Sequence, residues 1–454
     1  MISYLLRGVA TGMAIAAVGV AHGQSTPLMS LSKTVEIAVN NDPWLAGSEL
    51  RQRAMLSSSV AAASLPDPVV SLSMANVPTN GFALDQEPMT QLKTGVSQVF
   101  PRGDSLAIRS RQLAQQAAEH PLKRADRIAK TRVTVSEIWL DIYRAQQSIR
   151  LISQDRALFQ QLSDIATANY SAAVGRVRQQ DVVQAKLELT RLEDRLATLS
   201  ALEERAVGQL MQWIITDVSA SNIGNSAQGR LLLPENLPDI QPLPSPALDA
   251  IERKDFGALA EWLAQHPYVR AIEQRLLVSQ TGIALAQEKY QPQWALNASY
   301  AFRDDTPAGT SRADFLSIGV SFDVPLFTDK RQDQDVAAAV DLSEALKTDR
   351  LLALREMIAA SQALYAERQR LSQRRVLYQD ELLALTQEQA TASLNAYTND
   401  DGDFAEVVRA RIADLNARVD ALDIDVAWAK NQIRLHYYLN PSADIPITHR
   451  GEQP

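Results

Sequence analysis

Apolar and polar residues alternate with period two in two pairs of short segments, and each pair is followed by long stretches with apolar steps of three and four. In residues 294–302, Trp294, Leu296, Ala298, Tyr300 and Phe302 share one face while Asn297 and Ser299 take the other. In residues 316–324, Leu316, Ile318, Val320, Phe322 and Val324 oppose Ser317, Gly319, Ser321 and Asp323. Successive side chains of a strand point to opposite faces, so both segments predict strands with one apolar and one wet face. Val70, Leu72 and Met74 keep this parity in an earlier, fainter copy whose return strand, residues 92–100, is mixed. Half-buried strands in water alternate in the same way, so parity alone leaves lipid contact open. The connections 80–90 and 303–312 are polar and rich in Gly, Pro and Asp, which predicts exposed hairpin loops.

Residues 328–394 contain neither Gly nor Pro, a stretch that would extend about 100 Å as continuous helix. After a break at 399–403 the chain returns with Val408, Ile412, Leu415, Val419, Leu422, Val426, Ala429 and Ile433, in steps of four and three. Ala185, Leu189, Leu192, Leu196, Leu199, Ala206, Leu210 and Trp213 form the matching earlier seam, interrupted by Glu203. Its outgoing partner carries Val135, Ile138, Ile142, Ala145, Ile149 and Ile152. Such heptad seams predict helical hairpins with coiled-coil packing. Pro121 predicts a kink or break in the outgoing helix of the first hairpin. Ala/Leu/Ser-rich segments at 31–64 and 256–288 predict a helix ahead of each strand pair, ended at a proline cluster.

The two sets are copies. Pro43 in Asn41-Asp42-Pro43-Trp44-Leu45 and Pro267 in Gln265-His266-Pro267-Tyr268-Val269 lie 267 − 43 = 224 positions apart. Pro68 meets Pro292, and Gly95-Val96-Ser97 with Pro101 meets Gly319-Val320-Ser321 with Pro325, at the same offset. Asp181-Val182-Val183-Gln184-Ala185 meets Glu406-Val407-Val408-Arg409-Ala410 at 225. The division expected is a first repeat over 24–224 (strand hairpin 69–101, helical hairpin 103–215) and a second over 256–440 (strand hairpin 293–325, helical hairpin 328–439). Between them, residues 225–255 are Pro-rich and form a linker, either a flexible tether between independent domains or, preferred because the repeats look incomplete alone, an irregular belt packed on the outside of one shared structure; residues 441–454 form a tail.

Charge and composition narrow the function. There are 53 acidic and 45 basic residues, no cysteine and five scattered histidines, which gives no basic excess for nucleic acid and no disulfide or thiolate site. Neither a phosphate-binding glycine loop, a nucleophile elbow nor a His-Glu-x-x-His motif occurs, so no enzyme, cofactor or resident metal is expected. Residues 1–23, with Arg7, an uncharged run over 9–20 and Ala21-His22-Gly23, predict a cleaved secretory signal that leaves Gln24 first, with no lipid anchor on a cysteine. No later stretch is long and apolar enough for a membrane helix, so a β-barrel is the remaining way to span one. Four strands are too few to close such a barrel, which takes about eight or more, so several chains must contribute.

With these features in order, the chain resembles the TolC family of outer-membrane channels from about Leu31 to Asn440. The most specific pieces are Asn41-Asp42-Pro43, Leu65-Pro66-Asp67-Pro68, Glu87-Pro88-Met89-Thr90 leading to Gly95-Val96-Ser97-Gln98-Val99-Phe100-Pro101, and Gln179-Gln180-Asp181-Val182-Val183-Gln184-Ala185. The Glu-Pro-Met-Thr stretch is most similar to members paired with heavy-metal exporters. The resemblance implies a mainly α fold: a long coiled-coil helical barrel, plus four strands per chain in a twelve-stranded transmembrane β-barrel shared by a homotrimer. It also implies an outer membrane setting in a Gram-negative cell, contact with outer-membrane lipid, a periplasmic adaptor protein, and an inner-membrane RND-type pump.

It further implies that acidic side chains at the helix tips constrict the pore: Glu406, Asp403, Asp401 and Asp400 in the second repeat and Asp181 in the first. Where the family often has a second aspartate three residues later, Arg409 and Gln184 stand here, and Glu406 could pair with Arg409 instead. The same carboxylates read equally as helix N-caps. Gly175 and Gly402 are expected as tip turns with positive φ, and Trp294, Leu296, Tyr300, Phe302, Leu316, Ile318, Val320 and Phe322 as the lipid face. The expected activity is passive export of small solutes, with metal cations favoured. Alternatives are a duct for type I protein secretion, a periplasmic adaptor, or a structural coiled-coil protein. The tandem repeat speaks against an adaptor, which has a single central hairpin.

Overall fold

The computed structural model describes residues 29–171, 178–215, 231–399 and 401–440 and the backbone of 447–448. The expected signal segment, Gly175 and Asp400 lie outside the described residues.

Helix α1 (Leu31–Asn40) starts at Ser30, whose side chain accepts from Lys33 N–H, and α2 (Pro43–Ala62) starts at Asp42, whose side chain accepts from Trp44 N–H. One helix over 31–64 was expected; Asp42 as cap with Pro43 in the first turn divides it into two, because proline suits a helix start and its missing N–H costs nothing there. Strands β1 (Val69–Ala75) and β2 (Gln91–Phe100) follow, then α3 (Ser105–Ser171) and α4 (Gln179–Ile214). Helix α3 runs unbroken through Pro121, against the expectation of a break. The lost N–H removes one hydrogen bond, and the neighbours hold the helix on two sides: Ser48 Oγ meets His120 Nδ1 at 3.0 Å, Gln52 accepts from Arg124, and Glu119 pairs with Lys123 and Arg275.

Short elements lead into the second copy: β3 (Asp239–Ile240), α5 (Ser245–Glu252) and α6 (Phe256–Ala264). Their buried side chains, among them Leu233, Ile240, Leu243, Ala247 and Ile251, pack into the same cores as the long helices, and β3 pairs with β6 (Ile447–Thr448). Helix α7 (Pro267–Gln287) is capped by His266 and leads through a 3-10 turn, Glu288–Tyr290, to β4 (Trp294–Phe302) and β5 (Phe315–Phe322). Then α8 (Gln332–Leu377), a π turn (Tyr378–Leu382) and α9 (Leu383–Thr398) form one rod of 67 residues, and α10 (Phe404–Leu439) returns, so the long helix starts a few residues later than its Gly- and Pro-free stretch.

The heptad seams are buried as their spacing requires. Ala185, Leu192, Leu199, Ala206 and Leu210 on α4 and Val408, Leu415, Val419, Val426, Ala429 and Ile433 on α10 are buried. Glu203, which interrupts the α4 seam, accepts from Gln146 at 2.8 Å. Helix α10 has a second buried stripe, with Asp414, Ala417, Ile424, Asn431 and Leu435, because it packs on α3 with one side and on α8 and α9 with the other. Beside its α3 contact runs a ladder of ion pairs, Glu137–Arg434, Asp141–Lys430, Arg144–Asp423 and Asp155–Arg418, which fixes the register of two coils that hydrophobic contact alone would let slide.

His266 makes this middle zone sensitive to acid. Its Nε2 donates to Tyr437 O at 2.9 Å while Nδ1 accepts from Tyr268 N–H at 3.2 Å, a pattern that only the neutral ring satisfies. Burial lowers its pKa, Lys130 adds to this, and Asp126 and the Tyr437 carbonyl oppose it. Because the folded pKa lies below the ordinary histidine value of 6.5, the unfolded chain takes up the proton first. The stabilisation is therefore complete above about pH 6.5 and lost as pH falls toward the folded value. Melting curves between pH 5 and 7.5 should show this acid loss, and His266→Gln, which keeps one donor and one acceptor, should flatten it; an unchanged slope would remove His266 as the cause.

Candidate channel wall and helix tips

The four strands form one antiparallel sheet in the order β1-β2-β4-β5, with the two repeats joined by β2 and β4. The register carries one apolar face across all of it. Val70 lies opposite Val96, Leu72 opposite Thr94, Phe100 opposite Trp294, Trp294 opposite Phe322, Leu296 opposite Val320 and Tyr300 opposite Leu316. Thr94 and Gln98 are what made β2 mixed in sequence; registered against Tyr300 and Leu296 they fall on this face. The other face holds Ser71, Ser73, Gly95, Ser97, Asn297, Ser299, Ser317, Gly319 and Ser321. Lys93, between Ser73 and Ala301, is the one charged residue of the four strands, and sequence parity did not single it out.

Among the described residues no helix packs on either face. All eight residues of β5 are exposed, and Leu316, Ile318 and Leu72 are each 72% exposed. Trp294, Leu296, Tyr300, Phe302, Val320 and Phe322 are exposed with them, so the eight residues named for a lipid-facing role share one uncovered apolar face. An apolar surface this continuous marks a site of protein or membrane contact. Among the described residues the outer edges of β1 and β5 are also unpaired, and open edges recruit further strands.

Loops at one end of the sheet are tied together by two arginines. Arg303 donates to Ala313 O and Pro88 O, and Arg312 reaches Asp85 O, Glu87 O and Asp304 O. The Glu87-Pro88-Met89-Thr90 stretch closes its loop here: Thr90 N–H donates to Glu87 O, and the buried Thr90 hydroxyl donates to Asn76 O at 2.8 Å.

At the far end, the helix tips bring most of the acidic candidates together. Val182 and Ala185 of α4 pack in one apolar cluster with Phe404, Val407 and Val408 of α10. Phe404, which sequence reasoning passed over, is 2% exposed and meets Tyr397 edge-on at 5.7 Å, anchoring the turn. Asp403 caps α10, its carboxylate accepting from Ala405 N–H at 3.3 Å. Asp181 is buried, and its carboxylate accepts from Arg178 N–H at 2.8 Å. Asp401, Asp403 and Glu406 are exposed. Among the described residues no ion pair joins Glu406 to Arg409, whose Nε donates to Ala405 O at 3.2 Å. Gly402 does form the turn, for another reason than positive φ: a Cβ there would come 2.7 Å from Tyr397 N.

No protein-family model matches the chain, and no curated protein matches it in sequence. Solved structures do match. A structure of CusC, described for its folding and transmembrane channel formation, aligns with TM-score 0.70 at 15% identity, covering 90% of this chain and 91% of that one. The CmeC outer membrane channel of Campylobacter jejuni aligns with TM-score 0.72 at 13% identity, over 93% of this chain and 87% of that one. The open state of the MtrE outer membrane channel of Neisseria gonorrhoeae gives 0.70 at 16%, over 90% and 88%. The fold is thus the TolC-like one that the sequence resemblance implies.

Two outcomes are expected here. Asp403→Ala should speed amide exchange in the first turn of α10 by an amount equivalent to about 0.5–2 kcal/mol, and unchanged exchange would remove its capping role. Ile318→Arg should cost about 2–4 kcal/mol of folding into lipid bilayers, against far less for Ser317→Arg; equal costs would mean that the apolar face meets no lipid.

Proposed function

We propose that the chain is a TolC-family outer-membrane efflux channel, a passive and non-enzymatic conduit working as a homotrimer. The observation that carries this reading is the sheet with an uncovered apolar face, a serine-rich opposite face and two free edges. Strand directions alternate, so β5 of one copy can pair antiparallel with β1 of the next, and three copies close twelve strands without an edge. Strands β2 and β4, of 10 and 9 residues, suit the roughly 9–11 that a tilted strand needs to cross a bilayer. The long helices then extend the conduit into the periplasm as two repeats around a shared axis. Their tips are where a periplasmic adaptor and, through it, an inner-membrane RND-type pump would engage. Likeness to CusC, CmeC and MtrE supports the channel reading.

In this arrangement Glu406 with Asp401, threefold repeated, gives the tip a field that favours cations, while Lys93, threefold repeated, lies on the lumen side of the barrel. Asp181 and Asp403 serve as helix-start carboxylates, one oxygen of each accepting from a backbone N–H group. Cargo is small solutes, with metal cations favoured by the acidic tip; the energised partner selects what enters.

The test is to extract the protein from outer-membrane fractions, weigh it by native mass spectrometry and record currents in planar bilayers. A conducting trimer is expected, and a water-soluble monomer that conducts nothing would sink the proposal. In the same recordings Glu406→Gln should lower the cation-to-anion permeability ratio and Lys93→Glu should raise it. A gene deletion that leaves tolerance to copper, zinc, cobalt and organic toxicants unchanged would count against efflux.

A further inference from the structure

At the foot of the sheet one joint is made within the chain, and the repeat specifies a second that one chain cannot make. After β2, Arg102 turns under the sheet onto the segment that precedes β4. Its Nη1 donates to Lys289 O at 3.0 Å and Gln291 O at 2.9 Å, its Nη2 pairs with Asp323, and Asp104 N–H donates to Glu288 Oε2 at 2.9 Å. Gly103, at φ +43°, sits so close that a Cβ would come 1.9 Å from Glu288 Oε2 and 3.1 Å from Gln291 Cγ. This joint is polar, and it ties the end of the first strand hairpin to the start of the second.

Moving each side of the joint by 224 gives its counterpart. Arg102 becomes Leu326 and Gly103 becomes Phe327, while Lys289 becomes Leu65 and Gln291 becomes Asp67. Three of the four counterparts are large apolar residues, with Asp67 the exception, and they are bare: Leu326 is 72% exposed, Phe327 85%, Leu65 50% and, one turn back on α2, Val60 73%. Since β1 and β5 are opposite edges of the sheet, the segment after β5 cannot reach the segment before β1 of its own chain. It can reach that of a second copy. The chain also runs further before its helix begins after β5 than after β2, 332 − 105 = 227 against the offset of 224, which leaves three more residues to extend outward.

We propose that Leu326 and Phe327 form an apolar latch that seats on residues 60–67 of a second copy of this chain. The proposal rests on the trimeric channel reading and adds the residues that hold neighbours together at the foot of the barrel. Moving the β2–β4 register by the same offset sets Phe322 of one copy opposite Leu72 of the next and Val320 opposite Met74, which keeps the apolar face continuous around the ring. The change of chemistry follows from how each joint forms. A joint within the chain has its partner at hand and can use directional bonds, whereas subunits that meet by diffusion gain most from large apolar anchors that shed water.

Because the chain has no cysteine, crosslinking can test the latch without background. A chain carrying both Asp67→Cys and Phe327→Cys, purified as the detergent-solubilised assembly and oxidised, should give covalent dimers and a closed covalent trimer. Asp67→Cys with Leu377→Cys, whose partner position is distant on α8, should stay monomeric on denaturing gels. Leu326→Ser with Phe327→Ser should weaken trimer association by about thirtyfold or more. A trimer by native mass spectrometry that gives no crosslink, or Phe327→Trp fluorescence quenched by brominated lipid, would overturn the latch and leave the channel standing. Finding no oligomer at all would overturn both.

Discussion

A four-stranded sheet that none of the described helices covers is the constraint from which the rest of this structure follows. Strand hairpins gain stability by burying at least one face against a core, yet among the described residues both faces and both edges are open. The apolar face asks for lipid, the serine face for water, and the edges for more strands. In the proposed channel a ring of such sheets across a bilayer meets all three demands at once, while the helical part carries its own cores.

Helix α10 does for the helical half what β2 and β4 do for the sheet. It is buried along two stripes, one against the first helical hairpin and one against α8 and α9. Hydrophobic seams hold these coils together without setting their relative height. The ladder from Glu137–Arg434 to Asp155–Arg418 supplies that register. Its members are partly exposed, so each pair adds little energy, and their value lies in excluding shifted alignments. Strand register and helix register together hold the two repeats as one wall, with the foot of the sheet clasped by Arg102.

The tips show how one residue type serves two ends. Carboxylates at a helix start are drawn in by unpaired N–H groups, and Asp181 and Asp403 answer to that pull. Glu406 and Asp401 remain exposed, and Phe404 holds their turn in place from inside. In the proposed channel, charge at the constriction would therefore come from the carboxylates that the helix ends leave unbound.

The sequence by itself determined the elements and their doubling. Period-two parity marked β4 and β5, the four-three steps marked α4 and α10, and the offset of 224 related the halves, because these patterns depend only on local geometry. It was weaker wherever a neighbour decides. Pro121 looked like a break until α2 and α7 were seen to hold the helix on both sides, and Gly402 looked like a positive-φ residue until the approach of the Tyr397 backbone gave the reason. The faint face of β2 became readable once its register against β1 and β4 placed Thr94 and Gln98. Tertiary structure alone decided which carboxylates are tied to backbone N–H groups, that α10 is shared by both hairpins, and that none of the described helices shields the sheet. Each of these depends on what lies across space from a residue, and heptad and strand periods specify a face without naming what it meets.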